Sequence, residues 1–119
     1  MLYAVDLSGC SLLPGLAPEA VTTAFIAALK SAGATLVHSM SHHFPGAGQT
    51  CVLILAESHA VLHTWPETGI ANLDIFSCSM TLKSHGALTQ IQETFGAASV
   101  SIQESSRADK HPPPADGRP

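Results

Sequence analysis

What this chain has little of is charge. Of its 119 residues only 12% are Asp, Glu, Lys or Arg against 45% apolar, a balance that suits a compact protein with part of its surface covered by another subunit. The basic residues Lys30, Lys83, Arg107, Lys110 and Arg118 are scattered and the formal net charge is -4, so no basic stripe exists to neutralise phosphates and no nucleic-acid partner is expected. Cysteine is scarce too. Cys10, Cys51 and Cys78 are an odd number without CxxC spacing, which argues against a disulfide framework and for a reducing compartment. No run approaches the roughly 20 apolar residues of a membrane span, and no basic segment precedes an apolar stretch near the start, so neither a membrane partner nor a signal peptide is expected. The expectation is a soluble, cytoplasmic protein of one domain.

The apolar residues that are present fall into short periodic segments. Leu2 to Leu7 alternate as a first strand, closed by the turn-forming "SGCSLLPG". "APEAVTTAFIAALKSAG" predicts a helix with Pro18 in its first turn, Glu19 at its positive end, Val21, Phe25, Ala28 and Leu29 on one face, and Gly33 as its stop. "ATLVHSMSHHF" predicts a strand, "PGAG" a turn, and "QTCVLILA" a strand so apolar that burial on both faces or a central place in the sheet is expected. "HAVLHTW" and "IANLDIFSC" follow as strands around "PETG". Leu82, Leu88, Ile91 and Phe95 mark a second helix ended by Gly96, and "ASVSIQE" a last strand. The expected class is α+β: a two-layer domain over residues 1–104, a largely antiparallel β-sheet with two helices on one face. Residues 105–119 predict a disordered tail, too poor in apolar surface to offset its ordering entropy.

Reactive side chains concentrate in "LAESHAVLHTWPETG", Leu55 to Gly69. His59 and His63 share one face of a strand, but about 13 Å apart, too far to bind one zinc ion together; no metal is expected. Ser58 and His63 occur without a GxSxG elbow, so a triad hydrolase is not supported. From the residues alone, the two histidines read as satisfied polar groups beside a turn and Trp65 as a core anchor.

Taken whole, however, "ESHAVLHTWPETG" followed by "LDIFSC" resembles the signature of the small prokaryotic S-adenosylmethionine decarboxylase proenzymes. The opening strand with "GC", the helix ending "GAT", the "HHF" before a Pro/Gly loop and the strand running into "LAESH" extend the resemblance to about Glu104. It implies self-cleavage between Glu57 and Ser58, with Ser58 becoming a pyruvoyl group that forms a Schiff base with the substrate's α-amine and replaces pyridoxal phosphate as the electron sink. Such a cleavage needs a strained turn, an oxyanion donor and a nearby base.

By the same resemblance, His63 moves protons during processing, Thr50 stands where the family has a processing-assisting serine, and Cys78 is the catalytic proton donor. Phe44 with His63 corresponds to the adenine-stacking pair and Glu67 to the acid on the ribose hydroxyls. Cys10 and Cys51 read as packed thiols. Two positions depart from the pattern: Ile70 where the family has Tyr and Ser79 where it has Gly, both expected to shape the substrate pocket. The resemblance implies a homodimer of processed protomers that decarboxylates S-adenosylmethionine to supply the aminopropyl donor for spermidine. Ornithine or arginine as substrate is the alternative within the same chemistry. An unprocessed paralogue acting as a binding or regulatory subunit is the alternative outside it.

Overall fold

In a computed structural model, which describes residues 1–77 and 85–106, the alternating segments pair edge to edge. The elements in chain order are β1 (Leu2–Ser8), α1 (Pro18–Ser31), β2 (Leu36–His43), β3 (Gln49–Leu55), β4 (Ser58–Trp65), β5 (Ile70–Phe76), α2 (His85–Phe95) and β6 (Ser99–Ser105). A short 3-10 turn, Leu13–Gly15, follows β1. The six strands form one antiparallel sheet in the order β2-β3-β4-β5-β1-β6, so the α+β class holds. Residues 107–119, most of the expected tail, lie outside the described residues. No helix among the described residues is long and apolar enough to cross a membrane.

The core lies between the two helices and one face of the sheet. Val21, Phe25, Ala28 and Leu29 of α1 and Ala87, Ile91 and Phe95 of α2 are buried against Val5, Leu7, Leu53, Leu62, Leu73 and Ile75. Helical periodicity supplies one half of this layer and strand alternation the other. α1 begins at Pro18, whose missing N–H would have had no partner in a first turn anyway.

The opposite face of the sheet has no layer over it among the described residues. On β3, Gln49, Cys51, Leu53 and Leu55 are buried, while Ile54 on the other side is 42% exposed. Of the two expectations for β3, an interior place in the sheet holds, since it pairs with both β2 and β4, while burial on both faces is corrected: its apolar run fills one core face and leaves a second apolar face outward. Met40, Ile54 and Trp65 are each about half exposed on that outer side. Between β2 and β3 the chain turns through Gly46 and Gly48, both at positive φ. A Cβ on Gly48 would lie 2.9 Å from the Thr64 carbonyl oxygen, so only glycine lets the loop approach β4.

Candidate active site

Strand register lines up a row of polar side chains across the outer face. His42 pairs with Thr50, Thr50 with His63, His63 with Asn72 and Asn72 with Asp6. All point away from the helices, because each alternates with a residue of the core face. Thr50 Oγ1 and His63 Nδ1 are 2.9 Å apart, the Trp65 Nε1 donates to Asn72 Oδ1 at 2.9 Å, and Asn72 Nδ2 donates to Asp6 Oδ1 at 2.7 Å.

At one end of this row the β2–β3 loop and the residues after β4 enclose a cavity of about 390 Å³, lined by Phe44, Gln49, Thr50, His63, Trp65 and Glu67 among others. The structure thus brings together Phe44, Thr50, His63 and Glu67. Phe44 is 51% exposed and meets the His42 ring edge-on at 4.8 Å between centroids. An aromatic face, an imidazole and a carboxylate around one hollow of this size suit a flat heterocycle that carries hydroxyl groups.

The back of the cavity is braced by a buried amide. Gln49 Nε2 lies 3.3 Å from the Pro18 carbonyl oxygen, 3.2 Å from both Thr22 Oγ1 and Ser41 Oγ, and 3.1 Å from Cys51 Sγ. Its backbone N–H donates to Thr64 Oγ1 at 3.1 Å. The start of β3 is tied in this way to α1, β2 and β4. Cys51 and Cys10 are the packed thiols expected of them; at Cys10, burial pushes the thiol up from its ordinary pKa.

Ser58 opens β4 directly after a turn of two residues, Ala56 and Glu57. Glu57 has φ 59°, the one positive φ at a non-glycine residue among those described. That left-handed conformation costs an L-residue roughly 1–2 kcal/mol. Hollows of about 280 Å³ and 330 Å³ flank the turn, both lined by Glu57 and Ser58, and His59 stacks on Phe76 beside it at 5.6 Å.

Ser58 and His63 are not brought together in one chain. They stand five positions apart on β4, hence on opposite faces and about 16 Å apart along the strand. Cys78 and Ser79 lie outside the described residues. Ile70 pairs with Trp65 in the register and is not among the residues lining the His63 cavity. Trp65 is a correction: it is 48% exposed and forms a cavity wall, not a core anchor. Its odd position places it with His59 and His63, a parity readable in the sequence. Gln49 carried no comparable signal, since its role depends on three elements distant in sequence. Among the described residues, no group of three or more His, Cys, Asp or Glu side chains is placed to hold a metal ion.

Comparisons with known proteins bear on both halves of this arrangement. The sequence profile of the S-adenosylmethionine decarboxylase family matches residues 1–108. An S-adenosylmethionine decarboxylase proenzyme from Acidithiobacillus ferrooxidans is 41% identical over 87 residues, 73% of this chain and 65% of that protein. One of the same name from Thermodesulfovibrio yellowstonii is 39% identical over 89 residues, 75% of this chain and 66% of its own length. The chain therefore spans just under two thirds of these relatives. The crystal structure of the adenosylmethionine decarboxylase from Aquifex aeolicus is similar with a TM-score of 0.71 and 26% identity, covering 89% of this chain and 95% of that one. Since the matching profile runs through the Glu57–Ser58 turn and the His63 cavity alike, the chain belongs to the S-adenosylmethionine decarboxylase family.

Proposed function

We propose that the chain is a self-processing proenzyme whose mature form decarboxylates S-adenosylmethionine in the cytoplasm, supplying the aminopropyl donor for spermidine. The observation that carries this reading is the left-handed Glu57 immediately before Ser58. The residues present fit the pyruvoyl group that the family implies: Ser58 has the parent hydroxyl, its preceding carbonyl belongs to a strained residue, and open space flanks the bond.

In processing, the Ser58 hydroxyl attacks the Glu57 carbonyl carbon; the C–N bond breaks as the C–O bond forms, giving an ester and a free Ser58 amine. A base removes the Ser58 α-proton, and the Cβ–O bond breaks with its electron pair leaving on the Glu57 carboxylate. Water then replaces the nitrogen of the resulting dehydroalanine, releasing ammonia and leaving a pyruvoyl end. Once formed, the pyruvoyl group supplies a carbonyl that takes up the substrate amine and accepts the electron pair as carbon dioxide leaves. Phe44 and His63 hold the adenine ring, Glu67 accepts from the ribose hydroxyls, and Cys78 returns a proton to the substrate's α-carbon. Thr50 orients His63, the proton carrier of processing.

A homodimer of processed protomers is part of the same proposal. Ser58 and His63 are too far apart in one chain to act on the same atoms, and the outer sheet face, where Met40, Ile54 and Trp65 are half exposed beside the polar row, has no layer over it among the described residues. A site shared between two copies would take the Ser58 turn from one and the His63 cavity from the other.

Denaturing mass spectrometry tests the reading. The expected result is two pieces broken after Glu57, the second without a free amine, and one intact chain for Ser58→Ala. An unbroken parent chain overturns it.

A further inference from the structure

Trp65 is the only tryptophan in the chain, and although half exposed it is tethered at its ring nitrogen. Its Nε1 donates to Asn72, and Asn72 donates onward to Asp6. The relay crosses three neighbouring strands, β4, β5 and β1. Asn72 stands directly opposite both His63 and Asp6, and Trp65 reaches it from the diagonal position, within range of a long side chain.

Hydrogen-bond chemistry allows this relay a single orientation. An indole N–H only donates and a carboxylate only accepts, so the Asn72 amide must turn its oxygen to Trp65 and its nitrogen to Asp6. A flip of the amide would set N–H against N–H and oxygen against oxygen. The carboxylate thus locks the amide, and the amide holds the indole in one rotamer against the cavity that also contains His63.

We infer that Asp6 is a positioning residue, acting through Asn72 to hold the Trp65 ring as the wall against which bound substrate is seated. The kinetic side of this rests on the decarboxylase reading; the spectroscopic side does not. Trp65 lines the hollow assigned to the adenosine end of the substrate, and its ring N–H is already committed to Asn72, so it moves no proton in the reaction. Loss of the wall therefore weakens binding of ground state and transition state alike and leaves the chemical step alone.

Three variants of the full chain test it, each compared at the parent's oligomeric size: Asp6→Ala, Asn72→Leu, and Asp6→Asn, which keeps an acceptor oxygen for the Asn72 amide. In Asp6→Ala and Asn72→Leu the Trp65 fluorescence anisotropy falls and acrylamide quenching rises about twofold, while KM for S-adenosylmethionine rises about fivefold, the equivalent of one ordinary hydrogen bond, with kcat unchanged. Asp6→Asn stays near the parent in both. Parent-like fluorescence in Asp6→Ala overturns the relay, as does an Asp6→Asn that behaves like Asp6→Ala. Altered fluorescence with unchanged KM, or a fall in kcat alone, overturns the positioning role. A parent that releases no carbon dioxide from S-adenosylmethionine refutes the decarboxylase reading instead, and the fluorescence arm alone then decides the relay.

Discussion

Thr50 and His63 are direct partners across the β3–β4 seam, and their side chains meet at 2.9 Å between Oγ1 and Nδ1. Strand register sets the two residues directly opposite each other on the outer face. With Nδ1 engaged, the proton exchange proposed for His63 in processing falls to Nε2.

Replacing the hydroxyl tests that division of labour. Thr50→Val keeps the shape and the strand preference but loses the hydrogen bond, and is expected to slow chain breakage about fivefold, the worth of one ordinary bond. Thr50→Ser keeps the hydroxyl and processes at least as fast as the parent. Both rates are read from the cleaved fraction against time on a denaturing gel; equal rates for Val and Ser would separate Thr50 from processing.

The turn before Ser58 should report its conformation through stability. In a Ser58→Ala background, which keeps the chain whole, Glu57→Asn is expected to match or exceed the parent because Asn tolerates φ near 59°. Glu57→Val should lower stability by about 1–2 kcal/mol, since a β-branched residue fits that region worst. Urea midpoints at constant m-value provide the comparison, and a Val variant as stable as the Asn variant would remove strain from the account of this turn.

Gly46 and Gly48 make an internal control. Both have positive φ, but a Cβ at Gly46 meets nothing within 4 Å, whereas one at Gly48 meets the Thr64 carbonyl oxygen. Gly46→Ala therefore carries only the backbone cost, about 1 kcal/mol, and Gly48→Ala roughly 3 kcal/mol. The two thermal midpoints should differ in that order, with Gly48→Ala also weakening ligand binding at the cavity it lines.

Burial raises the Cys10 pKa, which fixes the sign of a pH effect. Below the unfolded thiol's pKa, both states hold the proton and stability is unaffected by this group. As pH rises above that value the unfolded state ionises first, so native stability falls until the folded pKa is passed. Cys10→Ala should flatten this alkaline decline in urea midpoints measured from neutral to strongly alkaline pH. An identical decline in parent and variant would assign it to other groups.

Much of the fold was legible because its periodicities are clean. The α1 face of Val21, Phe25, Ala28 and Leu29 is buried as a set, and each predicted strand appears within a residue or two of its expected place. Strand order was not legible: β1 lies between β5 and β6, and such long-range pairing leaves no trace in local alternation. The apolar run of β3 left two readings open, an interior place and burial on both faces, because hydrophobicity does not say whether the same chain supplies the covering layer. At the candidate site, the gathering of Phe44, Thr50, His63 and Glu67 followed from resemblance to a family. The outward side of Trp65 was available from strand parity alone.

The strand order has one more consequence. Residues before the Glu57–Ser58 turn supply β1, β2 and β3, and those after it supply β4, β5 and β6, so in the sheet the two segments alternate along three seams: β3–β4, β5–β1 and β1–β6. Opening the turn removes one short link and none of these seams. The two pieces would be woven, not merely docked, and diluting them would no more separate them than it would unfold the sheet.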